Sequence, residues 1–275
     1  MDAPASPASP SPAAPVKRRS LLPQEHGAWG QLAMPLISAL AVARPSLSAL
    51  LLTASTVLGF LAHEPWLVTL GHRGAKALKE EGARARKVML QFLAAAGVTG
   101  VAGVWLAPMA ARVALVVPVA LCAAVIAFVL ARKERTVPGE LTVVSALASS
   151  GFAVALASGA TLQAAAAGTA TWVLSFAASV FAVQVVLIRG LSKGEQDHGV
   201  RNAVIAGLIS VVGCALAVLA GLGWVVPAAV APTAGLSLVV CLAPFSARQL
   251  RTLGWALVGS TTATLIVLIV GLRAF

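Results

Sequence analysis

Nine stretches of this chain run for about 20 residues with almost no charged side chain, the length a helix needs to cross the hydrocarbon core of a bilayer. They lie at 26–43, 47–69, 88–107, 112–131, 139–158, 165–189, 201–221, 224–243 and 252–272. No water is present there to bond a backbone amide, so only helices and closed barrels can span it. The runs lack the two-residue alternation of a barrel strand, which makes them helices. The expected fold is all-α and polytopic, with about nine transmembrane helices. Together the runs use most of the 275 residues and leave no room for a separate soluble domain. Residues 21–275 are therefore read as one transmembrane helical domain.

The scarce ionisable groups are unevenly placed. Beyond Asp2, every acidic residue and every histidine falls near the same expected face of the membrane. Glu25 and His26 precede the first run. His63, Glu64, His72, Glu80 and Glu81 follow the second, Glu134 and Glu140 the fourth, and Glu195, Asp197 and His198 the sixth. A net charge of +11 would suit a nucleic-acid partner, but its distribution excludes that reading. With the N-terminus inside, the inner segments hold Lys17, Arg18, Arg19, Arg73, Lys76, Lys79, Arg84, Arg86, Lys87, Arg132, Lys133, Arg135, Arg189, Lys193, Arg201, Arg248 and Arg251. The outer side keeps Arg44, Arg112 and Arg273, and seventeen against three is the positive-inside asymmetry of a multi-pass protein. The expected topology has the N-terminus cytoplasmic and the C-terminus outside. The inner cations also attract anionic headgroups or a phosphate-bearing substrate.

Residues 1–16 are Ala, Pro and Ser with one Asp, and Lys17-Arg18-Arg19 follow, so 1–20 read as a disordered basic cytoplasmic tail. The apolar stretch behind them opens with Gln24-Glu25-His26 and runs to full spanning length, which argues against a cleaved signal peptide. Cys122, Cys214 and Cys241 sit singly in separate spans and are expected as small core residues.

Four loops carry the chemistry. In Pro23-Gln24-Glu25-His26-Gly27-Ala28-Trp29-Gly30-Gln31, a carboxylate and an imidazole enter the membrane, which is costly without a polar cavity or partners. Glu25 also suits the positive end of the helix dipole, and Trp29 an interfacial belt, so anchoring competes with function at this loop. Gln31 lies a turn deeper than anchoring requires. In the second loop, Pro65 cannot donate its amide and opens backbone groups beside His63 and Glu64. An imidazole and a carboxylate can ligate a divalent ion. Arg73 and Lys76 are placed to contact phosphate, whereas Arg84, Arg86 and Lys87 read as topological anchors. In the third loop, Glu140 complements the dipole of the fifth span or lines a site. In the fourth, Gln184, Arg189, Lys193 and Arg201 flank Glu195-Gln196-Asp197-His198, and two carboxylates two residues apart suit Mg²⁺.

Nine spans with loaded loops after the second and sixth resemble the UbiA superfamily of intramembrane prenyltransferases. The segment 189–202 is similar to that family's second Asp-rich motif, with Glu195 and Asp197 at its later acidic positions and Lys193 where its leading aspartate falls. His63-Glu64 stands where the first motif has Asn-Asp, and Leu67-Val68-Thr69 follows without its next aspartate. The segment 132–140 resembles the family's basic loop before a Gly-Glu helix start. A closer resemblance is to the YwiC-like family of bacterial membrane proteins, on Pro23-Gln24-Glu25-His26-Gly27-Ala28-Trp29 and His63-Glu64-Pro65, and it extends over residues 21–275.

The resemblance implies a UbiA-like bundle with its site at the cytoplasmic mouth. An isoprenoid diphosphate or similar membrane lipid is the implied partner, and Mg²⁺ the implied cofactor. His63, Glu64, Glu195 and Asp197 are then the metal ligands. Gln31, Arg73, Lys76, Gln184, Arg189, Lys193 and Arg201 are substrate-binding residues, and Glu25 and His26 serve as catalytic bases. Two other readings stand beside this one. One is a transporter or lipid-binding protein that keeps the fold without the chemistry, which the missing aspartates favour. The other is a different metal-dependent membrane enzyme. The sequence leaves the acceptor, the isoprenoid length and the oligomeric state open.

Overall fold

The computed structural model describes residues 20–23, 26–191, 199–243 and 249–274. Within them the regular elements are helices: α1 (His26–Val42), α2 (Leu47–Thr69), α3 (Ala75–Leu106), α4 (Met109–Ala114), α5 (Val116–Leu130), α6 (Val137–Ala157), α7 (Leu162–Leu191), α8 (Gly199–Leu219), α9 (Val225–Leu242) and α10 (Leu250–Arg273). With α4 and α5 taken as one span, eight helices are long and apolar enough to cross a membrane. The ninth, α1, has 17 residues and a length of about 25 Å, short for a hydrocarbon core of about 30 Å. The chain is thus an all-helical polytopic membrane protein.

Helix boundaries follow the apolar runs closely, with two departures. The third span was expected at 88–107, yet α3 starts at Ala75. Counting apolar residues stops at the charged segment 76–87, but its Ala, Lys, Glu, Leu and Arg are good helix formers. Lys76–Glu80 and Arg84–Glu81 pairs add i,i+4 and i,i+3 support along it. The resulting helix of 32 residues is about 48 Å long, well beyond a hydrocarbon core of about 30 Å. The fourth span, expected unbroken over 112–131, is interrupted at Leu115 between α4 and α5. Pro118 has no N–H for the Ala114 carbonyl, and its ring crowds that carbonyl.

Helices α6, α7, α9 and α10 form the packed interior, with α1 against α6 and α10. Val144, Ala148, Trp172, Phe176, Val226, Val230 and Leu268 make one buried cluster there. Trp172 is fully buried, stacks on Phe176 and donates its indole N–H to Ser38 Oγ of α1 at 2.8 Å. Helix α8 lies outside, with Val200, Val204, Leu208, Val211, Leu216 and Leu219 along an exposed stripe that suits lipid. Helix α3 packs along α2, and that pair joins the rest through α2 against α6 and, to a smaller extent, α1. Cys241 is buried as expected, whereas Cys122 faces outward on α5, the lipid-facing side of that helix rather than the core.

Cross-helix bonds hold the two ends of the bundle. At one end Ser46 caps α2 and donates to the Ala157 carbonyl at 2.6 Å, and Arg273 donates to the Ala41 carbonyl. Gln163 of α7 reaches the Gly221 carbonyl at the same end. At the other end lie the charged loops. Leu78 on the charged part of α3 and Val98 on its apolar part are both solvent-exposed in the isolated chain, at 42% and 72%. With native cysteines removed and the protein in open membrane fragments, a membrane-impermeant maleimide is expected to label Leu78→Cys and spare Val98→Cys. Equal labelling of both would place the membrane boundary elsewhere.

Candidate functional site

Glu64 is a carboxylate on the last turns of α2, 6% exposed and beside Pro65. A buried charge of this kind requires a partner. It has one in Arg73, nine residues on, whose Nε donates to Oε1 at 2.9 Å and whose Nη2 donates to Oε2. The fork geometry matches carboxylate and guanidinium at both oxygens. What brings Arg73 back over its own helix is the way α2 ends. Gly71 takes φ +73°, the His72 amide bonds to the Leu67 carbonyl and the Gly71 amide to Val68, both at 3.0 Å. This is a Schellman ending, in which a left-handed residue reverses the chain and satisfies the last carbonyls. His63, next to Glu64, is half-buried with its ring edge-on to Trp66, centroids 6.4 Å apart.

Helix α5 ends the same way with different chemistry. The Lys133 amide bonds to Phe128 at 2.8 Å and the Arg132 amide to Val129 at 2.9 Å. The left-handed position is held by Arg132 at φ +56°, where a side chain costs roughly 1–2 kcal/mol. The turn is then clamped from below. A Cβ on Gly139, in the first turn of α6, would lie 2.4 Å from the Lys133 carbonyl oxygen and 2.8 Å from that of Glu134. Thr136 caps α6, accepting from the Gly139 amide at 3.3 Å and donating to the Lys133 carbonyl at 2.7 Å.

The two turns meet. His72 Nδ1 lies 4.0 Å from Glu134 Oε1, with the side chains 10% and 23% exposed. That separation is too long for a hydrogen bond. Among the described residues, Nδ1 of His72 and Oε2 of Glu134 are buried polar atoms with no hydrogen-bond partner.

Gln184 of α7 donates to Glu140 Oε2 of α6 at 2.9 Å, so Glu140 faces a neighbouring helix. Arg189 donates to the Ala243 and Cys241 carbonyls at 2.6 and 2.8 Å, completing the C-terminus of α9, where unpaired carbonyls and the negative dipole end favour a cation. Lys76 pairs at the surface with Glu80, Arg201 is exposed near the start of α8, and Gln31 is half-buried in α1. Trp29 donates its indole N–H to the Pro23 carbonyl at 3.0 Å and packs edge-on against Phe60, docking the start of α1 on α2. Glu25, Lys193, Glu195 and Asp197 lie outside the described residues, as does the side chain of His26.

Sequence reasoning placed His72 and Glu134 in loaded loops but assigned neither to the site. For His72 the missed signal is a glycine closing an apolar run, which marks a Schellman turn and fixes the residue after it. For Glu134 no such signal exists, because an arginine fills the glycine position.

The donor set can be tested against a divalent ion. Among the described residues no three His, Cys, Asp or Glu side chains converge, and both Glu64 oxygens are engaged by Arg73. The described donors therefore do not make a Mg²⁺ site. The apolar cavity bordered by Pro35, Ser38, Trp172 and Leu268 lies apart from these charges and has room for about one water molecule.

Removing Arg73 alone strands a buried carboxylate. Arg73→Met is expected to cost about 3–5 kcal/mol, and the paired Glu64→Gln/Arg73→Met change clearly less, measured by thermal unfolding in detergent. Replacing Arg132 with Gly relieves the left-handed strain and is expected to stabilise by about 1 kcal/mol. Gly139→Ala, by contrast, drives a methyl into backbone and is expected to cost about 1–3 kcal/mol.

No curated protein and no solved structure matches the chain. Residues 22–155, which begin just before α1 and end in the last turns of α6, match the family model described as YwiC-like protein, and over that segment the YwiC-like identity expected from Glu25-His26-Gly27-Ala28-Trp29 and His63-Glu64-Pro65 is shown.

Proposed function

We propose that the charged end is the mouth of an intramembrane site for a prenyl diphosphate or similar lipidic substrate, in a UbiA-like transferase. The observation that carries this reading is the buried Glu64–Arg73 pair beside Pro65, at the apolar bundle's cation-rich end. A guanidinium that can exchange a carboxylate for a phosphate in a water-poor site is a strong anion ligand. In this reading the lipid tail lies among the apolar helices and the headgroup lies at the positive-inside, cytoplasmic face of a bacterial inner membrane. The N-terminus is then cytoplasmic and the C-terminus outside.

Transfer breaks the bond between the prenyl carbon and the diphosphate oxygen, leaving the electron pair on the oxygen. Arg73, Lys76, Lys193 and Arg201 neutralise that charge. The new bond forms to an acceptor nucleophile, whose proton passes to Glu25 or His26. Mg²⁺, whose shell the described donors do not complete, would rest on Glu195 and Asp197. A second reading, a transporter or lipid-binding protein without the chemistry, draws support from the same pair, since Glu64 and Arg73 satisfy each other.

Thermal stabilisation of the detergent-purified chain by farnesyl and geranylgeranyl diphosphate, with and without Mg²⁺, separates these readings. A ligand that binds only the folded chain raises its apparent stability by mass action. A shift that shrinks in Glu64→Gln/Arg73→Met supports the diphosphate site, and its Mg²⁺ dependence tests the acidic turn at Glu195 and Asp197. A shift without turnover on any acceptor favours the binding protein. No shift with either diphosphate sinks the transferase.

A further inference from the structure

We propose that His72 and Glu134 form a proton-binding site that controls how firmly the α2–α3 pair is tied to the rest of the bundle. The inference stands apart from the proposed function. Its first support is the facing of His72 Nδ1 and Glu134 Oε1 at 4.0 Å, with Nδ1 and Oε2 both buried and without hydrogen-bond partners among the described residues. Buried polar atoms of native proteins nearly always find partners, so two facing side chains that each carry an unpartnered buried atom ask for a shared donor. With the neutral imidazole carrying its hydrogen on Nε2, Nδ1 and the carboxylate are both acceptors, and neither can satisfy the other. One proton from solvent, added to Nδ1, makes an imidazolium whose N–H donates to Glu134, and the two acceptors become a charge-assisted pair. Histidine is the side chain suited to take up that proton near neutrality.

A second, independent support is how Glu134 is held there. The α5 turn places it through a left-handed Arg132, with the backbone of Lys133 and Glu134 seated directly on Gly139. Sparsely populated backbone conformations held by surrounding structure cluster at switching and binding positions.

The other charges nearby have other commitments. On the His72 turn, Arg73 is bound to Glu64. Along α3, Lys76 pairs with Glu80 and Arg84 with Glu81. On the Glu134 turn, Arg132, Lys133 and Arg135 are exposed. On α6, Glu140 receives Gln184.

The consequence follows from the packing. Helix α3 rests on α2, and α2 meets the remaining helices along α6 and α1. A link from the α2–α3 turn to the α5–α6 turn is therefore a tie between a peripheral pair and the core, at the charged end. Proton uptake closes that tie and proton release loosens it.

The test is a double-mutant cycle on the full chain in detergent, with thermal unfolding at pH 6 and pH 8 for His72→Gln, Glu134→Gln and the double variant. At pH 6 each single change is expected to lower Tm by about 2–6 °C, and the double change by no more than either single one. At pH 8 the coupling is expected to vanish. His72→Lys, which installs a fixed cation, is expected to couple to Glu134 at both values. Coupling of equal size at both pH values in the His72 cycle, or at neither, overturns the proposal. If the Gln variants do not fold, ¹⁵N-histidine spectra of the wild-type chain decide it. A histidine Nδ1 that takes up a proton between pH 8 and 6 with the chemical shift of a hydrogen-bonded imidazolium supports the site, and the absence of any such signal overturns it.

Discussion

A chain inside a bilayer must satisfy its backbone with itself, and each helix end is where that becomes difficult. The last carbonyls of a helix have no partner within it, and at the membrane boundary they either meet water or are tied off. Here α2 and α5 are both tied off by Schellman endings. Each reverses the chain within three residues and throws the next side chains back toward the bundle. Arg73 and His72 from one turn, and Glu134 from the other, reach their places for that reason. The charged end is thus built by helix termination, and the polar contacts follow from it.

The same end shows how a bundle accommodates ionisable groups at the edge of an apolar medium. Glu64 is neutralised by a two-pronged guanidinium, Glu140 accepts from the amide of Gln184, and the carbonyls at the end of α9 accept from Arg189. Each contact joins a helix to a turn or to another helix, so together they brace the charged mouth. His72 and Glu134 depart from this pattern, being close and half-buried yet unbonded to each other. A site where nearly every polar group is committed except two facing ones is arranged for a change of state at those two.

Most of the span pattern was legible from composition along the chain. Helix α2 falls on the residues expected, and α6, α7, α8, α9 and α10 begin and end within three residues of their apolar runs. Pro118 announces the break at Leu115 only when read as a lost bond to Ala114, and the charged half of α3 is invisible to a rule that counts apolar residues. The candidate site was legible as a list of loops and illegible as a set of pairs. The loops suggest a role for Arg73, Glu64 and Arg189 one at a time. That Arg73 pairs with Glu64, and that Arg189 bonds the last carbonyls of α9, is seen only in the folded chain.

The kind of the spans and most of their boundaries were determined by the sequence itself, because they depend on apolar length and on bonds four residues apart. The concentration of charge at one end was also determined there, since alternating spans send every second loop to the same side. Only the tertiary structure decided which charges pair, because those pairings depend on backbone reversal and on helices distant along the chain. A left-handed arginine, a glycine under a neighbouring turn and a histidine facing a glutamate at 4.0 Å leave no mark in a hydropathy pattern. They arise where helix ends are brought together.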